Sequence, residues 1–209
     1  MSGIKGRLRE WPYAVLGLSL LWMTVRALEK MLSSYAKDFD QDPLKHNVYA
    51  YTAPSFGAML HQIKNLYQPA LDFALRRYLV FPTLGFDERA FRVPGSICYL
   101  LALGLVPALI YAFLRKQEHP SVVAVSGALL GAFWILENKL LLAYGVEGRH
   151  YMAAAFVSMI WFCCAFLFES KPHWAFFLSS LIFANTHLFS FPLIATAFGI
   201  HAVRCCWER

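Results

Sequence analysis

Five uncharged, mainly apolar stretches alternate with short charged segments along the chain. They cover residues 11–25, 93–114, 120–136, 150–168 and 172–203. A helix needs about 20 apolar residues to cross the hydrocarbon core of a bilayer, which is roughly 30 Å thick. The second and fourth stretches meet this length, the first and third need flanking residues, and the fifth is too long for one simple span. The pattern predicts an all-α polytopic membrane protein with five to six transmembrane helices.

The predicted spans form one transmembrane domain over residues 1–209. They lie at about 11–28, 93–114, 120–137, 150–168 and 174–203. The last is predicted to break near 187–192, because Pro192 removes a backbone donor, although a single unbroken span is the alternative. Gly127 and Gly131 have the spacing of small residues that lets two helices approach closely.

A long hydrophilic segment, residues 29–92, separates the first two spans and contains two amphipathic stretches. In the first, over 54–67, apolar residues recur at helical spacing: Phe56, Met59, Leu60, Ile63, Leu66 and Tyr67. Pro69 opens the second, over 69–81, which has a similar face. Both stretches are shorter than a span and carry charge. They predict two helices that lie in the membrane interface, a placement compatible with packing against the bundle.

Composition and charge agree with a membrane location. The chain is 58% hydrophobic and 15% charged, outside the range of ordinary soluble domains. Its net charge of +6 is spread over helix ends, at Lys5, Arg7, Arg9, Arg115, Lys116, Lys171, Arg204 and Arg209. This distribution argues against a nucleic-acid surface. By the positive-inside rule it places the N-terminus in the cytoplasm and residues 29–92 on the external face. The five cysteines form neither a disulfide framework nor a spaced metal-ligand pattern.

Three groups of polar residues on the predicted external side are candidates for chemistry. The first holds Asp38, Asp40 and Asp42, just after the first span. Acids at a bilayer surface can act as general bases on a hydroxyl or hold a divalent cation. A solvated acidic loop is the alternative, which spacing alone favours.

The other two groups contain arginines. Arg92 follows Asp87, Glu88 and Arg89 at the mouth of the second span, where it could bind a lipid phosphate or extend to the interface. Glu147, Arg149 and His150 lie between the third and fourth spans. They could line a site, or Glu147 and Arg149 could pair with each other.

In order along the chain, these motifs resemble the N-terminal part of the GT-C superfamily of polyprenyl-phosphate-sugar glycosyltransferases. The superfamily includes protein mannosyltransferases and aminoarabinose transferases. The resemblance spans most of residues 35–191. It rests on the acids after the first span, then on "SFGAML", "QPALDFALRRYLV", "GFDERAFRVPGSI", "EGRHY" and "FANTHLFSF".

The resemblance implies an inverting transferase whose active face is periplasmic or lumenal, with the bacterial inner membrane as the expected location. The donor would be a sugar on a polyprenyl phosphate, and the acceptor a hydroxyl of a lipid, glycan or protein. Asp42, or else Asp40, would be the catalytic base. Arg149 and His150 would contact the phosphate, Glu147 would orient Arg149, and Arg92 would be a further phosphate ligand. Some relatives also use a divalent metal ion.

The chain also departs from the superfamily. Its members usually have an Asp-Glu pair after the first span, whereas Pro43 follows Asp42 here. They are usually at least twice as long, which suggests a truncated relative. A scaffold without turnover is therefore one alternative function, and a lipid or solute transporter is another.

Overall fold

The computed structural model describes residues 2–35, 51–64, 70–146, 151–166, 180–182 and 194–195. Every regular element in these residues is helical, which confirms the all-α prediction for this part of the chain. The elements are α1 (Ser2–Tyr35), α2 (Phe56–Lys64), α3 (Ala70–Leu75), a π-helical turn (Arg76–Val80), α4 (Phe81–Leu84), α5 (Glu88–Lys116), α6 (Ser121–Glu137), α7 (Lys139–Val146) and α8 (Tyr151–Phe166). The predicted break near 187–192 lies outside the described residues.

Helix α5 is longer than the apolar stretch that predicts it. Asp87 caps its N-terminus, because the Asp87 side chain accepts a hydrogen bond of 2.6 Å from the amide of Ala90. Arg115 and Lys116 occupy its last turn, where cations favour the negative end of the helix dipole. The helix therefore spans Glu88–Lys116 rather than 93–114. Because α1 also continues to Tyr35, the hydrophilic segment between the two helices is shorter than the predicted 29–92.

Helix α6 packs along α5 through the two glycines that the sequence analysis singles out. A Cβ atom on Gly127 would lie 2.6 Å from Leu114 Cδ1, and one on Gly131 would overlap Ile110 Cδ1. A side chain at either position would force the end of Leu114 or Ile110 to move, so glycine favours this close packing of α6 on α5. The predicted close approach of helices at this pair is confirmed.

The chain bends by 60° between α6 and α7, at Asn138. The Asn138 side-chain oxygen accepts hydrogen bonds of 3.1 Å from the amides of Leu140 and Leu141, and so caps α7. Helix α7 therefore begins at Lys139, where the sequence analysis predicts no helix. The bend turns α7 across α5.

Replacing Asn138 by alanine should lower the free energy of unfolding by about 1 kcal/mol, the usual cost of losing an N-cap. The Asn138→Asp variant, whose carboxylate can accept the same two hydrogen bonds, should stay close to wild type. Denaturant titration in detergent measures both. Equal stability of the alanine and aspartate variants would show that the cap does not stabilise α7.

Two apolar cores hold these helices together. The bundle core draws on four helices and on the end of α7, with Met23, Ala27 and Met31 from α1, Tyr99, Ala102 and Leu103 from α5, Ala132, Ile135 and Leu136 from α6, Val146 from α7 and Met152 from α8. A smaller cap core contains Tyr51, Ala53, Met59, Ile63, Phe73 and Phe91. The cap core joins residues 51–53 and helices α2 and α3 to the beginning of α5.

The two stretches predicted to be interfacial helices are helical over most of the residues that the structure describes there. The first, predicted over 54–67, is α2 at Phe56–Lys64. The second, predicted over 69–81 as one helix, consists of α3, the π-helical turn and α4. The π-helical turn begins with the two arginines Arg76 and Arg77.

One described helix, Ala90–Lys116, is long and apolar enough to cross a membrane. The bent pair Ser121–Glu137 and Lys139–Val146 adds a second if it forms one span, and Tyr151–Trp161 is apolar but shorter. The described residues therefore support one or two of the five to six predicted spans.

Candidate functional site

The candidate site is built on four residues near the beginning of α5: Phe91, Arg92, Gly95 and Ser96. We call them the α5 hub. Their side chains or backbone contact α1, the cap core and α7, which are distant in sequence. The hub residues Phe91, Arg92 and Ser96 are almost fully buried, with exposed fractions of 2%, 4% and 6%. The hub lies in the first turns of α5, just after the Asp87 cap.

Ser96 connects the end of α1 to the end of α7. Its hydroxyl forms a hydrogen bond with the hydroxyl of Tyr35, the last residue of α1. The same Ser96 hydroxyl donates to the carbonyl oxygen of Gly145, at 3.0 Å. A single small side chain therefore fixes two chain segments that are 110 positions apart, Tyr35 and Gly145.

Gly95 allows α7 to approach the hub. A Cβ atom on Gly95 would lie 2.9 Å from the carbonyl oxygen of Gly145 and 3.2 Å from that of Tyr144. On the other side of this contact, a Cβ atom on Gly145 would lie 3.0 Å from Tyr99 Cβ. Because Gly95 and Gly145 have no side chains, the backbone of α7 packs directly against α5, and the Ser96 hydroxyl can reach the Gly145 carbonyl oxygen.

Arg92 fixes the end of α1 a second time. Its guanidinium donates to the carbonyl oxygen of Ser34, at 3.3 Å, and lies over the ring of Tyr35, 5.2 Å from the ring centre. A cation over an aromatic face is attracted by the ring quadrupole. The sequence analysis names Arg92 as a phosphate ligand, but the contacts described for it are with α1.

Phe91 connects the hub to the cap core. The ring of Tyr51 packs edge-to-face on Phe91, with 5.1 Å between ring centres. The guanidinium of Arg76 lies 4.9 Å from the centre of the Phe91 ring and donates to the Phe91 carbonyl oxygen. Arg76 is fully buried. Two buried guanidinium groups therefore lie near Phe91: that of Arg76, on its ring, and that of Arg92, the next residue.

Five of the six predicted site residues lie outside the described residues: Asp40, Asp42, Glu147, Arg149 and His150. The chain positions next to them are described. Residues 36–50, here called the acidic segment, are flanked by Tyr35 and Tyr51, which contact the adjacent hub residues Arg92 and Phe91. The two residues that flank this segment are therefore both in contact with one turn of α5.

The predicted group of Glu147, Arg149 and His150 lies in residues 147–150, here called the basic segment. It follows Val146 of α7 and precedes Tyr151 of α8. The rings of Tyr144 and Tyr151 pack with 5.1 Å between their centres, so the chain before this segment contacts the chain after it. Since Gly145 accepts a hydrogen bond from Ser96, the basic segment starts at the hub to which the acidic segment is anchored.

The sequence analysis did not identify Tyr35, Ser96 and Gly145 as part of the site. The only signal for them is the pair of small residues, Gly95 and Ser96, in a helix otherwise rich in large apolar side chains. A small pair of this kind indicates a close approach of another element, but not which element approaches.

Compared with protein-family models, curated proteins and solved structures, the chain matches none of them. Within the described residues, no three His, Cys, Asp or Glu side chains come together as metal ligands. The acids Asp38, Asp40 and Asp42, named in the sequence analysis as candidate bases or cation ligands, lie outside those residues.

Proposed function

We propose that the chain is a membrane glycosyltransferase of the GT-C type, which moves a sugar from a polyprenyl phosphate to an acceptor hydroxyl on the external face. One observation carries the proposal: Ser96 holds the end of α1 and the end of α7 at the same point. The end of α1 leads directly into the segment with Asp40 and Asp42. The end of α7 leads directly into the segment with Glu147, Arg149 and His150.

The reach of the chain allows the two segments to act together. Arg149 is the third residue after Val146, and Asp42 is the seventh after Tyr35. At roughly 3.6 Å per extended residue, the Cα atom of Arg149 lies within about 11 Å of that of Val146. By the same measure, the Cα atom of Asp42 lies within about 25 Å of that of Tyr35. A proposed base and a proposed phosphate ligand can therefore face one substrate above the hub.

The surface of the bundle supports a membrane location. Only 22% of the most apolar part of α5 is buried within the protein, whereas the core helix of a soluble domain is mostly buried. Large apolar side chains are exposed on the three long helices, among them Leu18, Leu21 and Trp22 of α1, Ile97 and Leu101 of α5, and Leu130, Phe133 and Trp134 of α6. Exposed apolar area of this extent favours contact with lipid.

The position of the hub along α5 agrees with the predicted topology. Ser96 and Arg115 are 19 residues apart in one helix, or about 29 Å at 1.5 Å per residue. This is about the thickness of the hydrocarbon core. If Arg115 and Lys116 lie at the cytoplasmic surface, the hub lies at the external surface, where a lipid-linked donor presents its sugar.

In the proposed reaction, the Asp42 carboxylate takes the proton of the acceptor hydroxyl. The acceptor oxygen attacks the anomeric carbon from the face opposite the phosphate, and the bond from this carbon to the phosphate oxygen breaks. This single displacement inverts the anomeric configuration. Arg149 and His150 stabilise the charge that develops on the departing phosphate, and Glu147 orients Arg149. A donor that stays in the bilayer reaches such a site laterally.

The test is a transfer assay with the full chain in proteoliposomes that contain a polyprenyl phosphate with a radiolabelled sugar. Mannose, glucose and aminoarabinose donors are supplied in turn with a lipid, glycan or peptide hydroxyl acceptor. We expect labelled product of inverted configuration with one donor and none in protein-free liposomes. Absence of transfer from every donor, by protein that retains its helical circular dichroism, would refute the proposed function.

A further inference from the structure

The helical stretch 70–80, which comprises α3 and the π-helical turn, has its two arginines turned inward. Arg76 is fully buried, and its guanidinium contacts the ring and the carbonyl oxygen of Phe91. Arg77 is partly buried and donates to two backbone carbonyl oxygens of the cap core, one of them at 3.0 Å. Both guanidinium groups therefore bind groups of the protein.

The exposed side chains of the same stretch are apolar or aromatic, and none of those described there is charged. They are Leu71, Leu75, Tyr78 and Leu79, with exposed fractions between 41% and 58%. On a surface helix of a soluble protein, the apolar side chains face the core and the charged ones face water. Here the side that faces outward is apolar, and the cations are on the inward side.

Helix α2 adds two apolar side chains to this surface. Phe56 and Leu60, one helical turn apart, are 49% and 38% exposed, and the rings of Phe56 and Tyr78 lie with 6.3 Å between their centres. Met59 and Ile63 of the same helix are buried in the cap core. The apolar residues of α2 are therefore divided between the core and the outside. The outer cap face, as we call the exposed set, consists of Phe56, Leu60, Leu71, Leu75, Tyr78 and Leu79.

The polar group next to the outer cap face has partners within the protein. Thr83 of α4 is exposed, but its hydroxyl lies 2.7 Å from the carbonyl oxygen of Leu79 and 2.9 Å from that of Val80, both within donating distance. A hydroxyl bonded to the backbone in this way can enter an apolar medium, where water supplies no partner.

We propose that the outer cap face inserts into one leaflet of the bilayer, at the boundary between headgroups and acyl chains, as a membrane contact that does not span. The leaflet is the one at the hub end of α5, which the proposed topology makes the external one. The inference goes beyond an interfacial placement of two helices, because it assigns six side chains to lipid and four others, Met59, Ile63, Phe73 and Arg76, to the protein interior. It does not rest on sugar transfer.

The charge and the position of the face favour lipid over a protein partner. An uncharged face complements acyl chains and offers a polar surface no ion pairs. Tyr78, with the Arg77 guanidinium 5.4 Å from its ring centre, is the type of residue enriched at the headgroup level. The cap core shares Phe91 with α5. The exposed apolar residues Ile97 and Leu101 follow about 9 Å and about 15 Å along that helix, so apolar surface continues from the cap to the bundle.

The test is a depth measurement with spin labels on the full chain in phosphatidylcholine vesicles. The five native cysteines are replaced by alanine, and single labels are placed by Leu75→Cys and Leu79→Cys. Leu130→Cys, at a position 70% exposed on α6, is the lipid reference, and Glu118→Cys, in the exposed turn after α5, is the water reference. Each label is measured for its accessibility to oxygen, which concentrates in lipid, and to a nickel chelate, which stays in water.

We expect both cap labels to favour oxygen, at a depth of about 5 to 10 Å below the phosphates, with the Leu130 label deeper. Nickel accessibility equal to that of the Glu118 label would overturn the inference. An immobilised label with low accessibility to both reagents would also overturn it, because a second copy or another part of the chain would then cover the face. The measurement needs no transferase activity, so it separates this inference from the proposed function.

A second measurement keeps the native cysteines and applies if the cysteine-free chain loses its helical circular dichroism. Leu79→Trp adds one tryptophan to the full chain, and the fluorescence of wild type is subtracted. Phospholipids brominated near the headgroup should quench the added fluorescence, whereas aqueous acrylamide should quench it weakly. Strong quenching by acrylamide and none by the brominated lipid would overturn the inference.

Discussion

Replacing Asp42 by asparagine is expected to lower kcat for sugar transfer by about 10²- to 10⁴-fold, the usual contribution of a general base. Asparagine keeps the size of the side chain but cannot accept the proton of the acceptor hydroxyl. The KM for the polyprenyl-phosphate donor should change little, because the donor phosphate is assigned to Arg149 and His150. Steady-state transfer in proteoliposomes measures both constants.

Glu118→Gln provides a matched control for this prediction. Glu118 is an exposed acid in the turn between α5 and α6, at the end of α5 opposite the hub. Its neutralisation should leave kcat unchanged. If Asp40→Asn abolishes turnover and Asp42→Asn does not, Asp40 is the base. Normal turnover in both aspartate variants would contradict the assignment of the base to this segment.

Replacing Gly95 by valine is expected to lower the free energy of unfolding by about 3 kcal/mol, the upper part of the range for overfilling a packed site. The new Cβ would lie 2.9 Å from a backbone oxygen, that of Gly145. Backbone cannot move aside as a flexible side chain can. Helix α7 would shift, and the hydrogen bond from Ser96 to Gly145 would be lost. Thermal unfolding in detergent measures the effect.

Gly104→Val is the matched control, because it makes the same change in the same helix. A Cβ atom on Gly104 would meet nothing within 4 Å. Valine also has a higher helix propensity than glycine, so this variant should be as stable as wild type or slightly more so. If both variants lose the same stability, the cost comes from α5 itself and the close approach of α7 does not explain it.

The long helices could be predicted from the sequence because their signal is local. Uncharged stretches at 93–114 and 120–136 mark α5 and α6, and the observed bounds differ by a few residues. The differences have a physical cause: helices continue into charged residues where a cap or a helix dipole favours them, as at Asp87 and Lys116. The bend at Asn138 could have been predicted from its capping ability, but a span followed by a loop explains the same hydrophobic pattern.

The hub could not be predicted, because its contacts join residues that are distant in sequence. Tyr35 and Ser96 are 61 positions apart, and Ser96 and Gly145 are 49 apart. Each is an ordinary residue in its own segment. Of the predicted site residues, Arg92 alone lies in the described part of the chain, and its contacts there include Ser34 and Tyr35. The position of a functional segment depends on such tertiary contacts, whereas its chemistry can be suggested by the residues it contains.

The hub also constrains the order in which the protein can assemble during synthesis. Tyr35 is translated 61 residues before its partner Ser96, and Ser96 is translated 49 residues before Gly145. Until then the end of α1 lacks the contacts that Ser96 and Arg92 make with it. The nascent chain therefore completes the hub late, when the ribosome has passed residue 145 and all three segments are present.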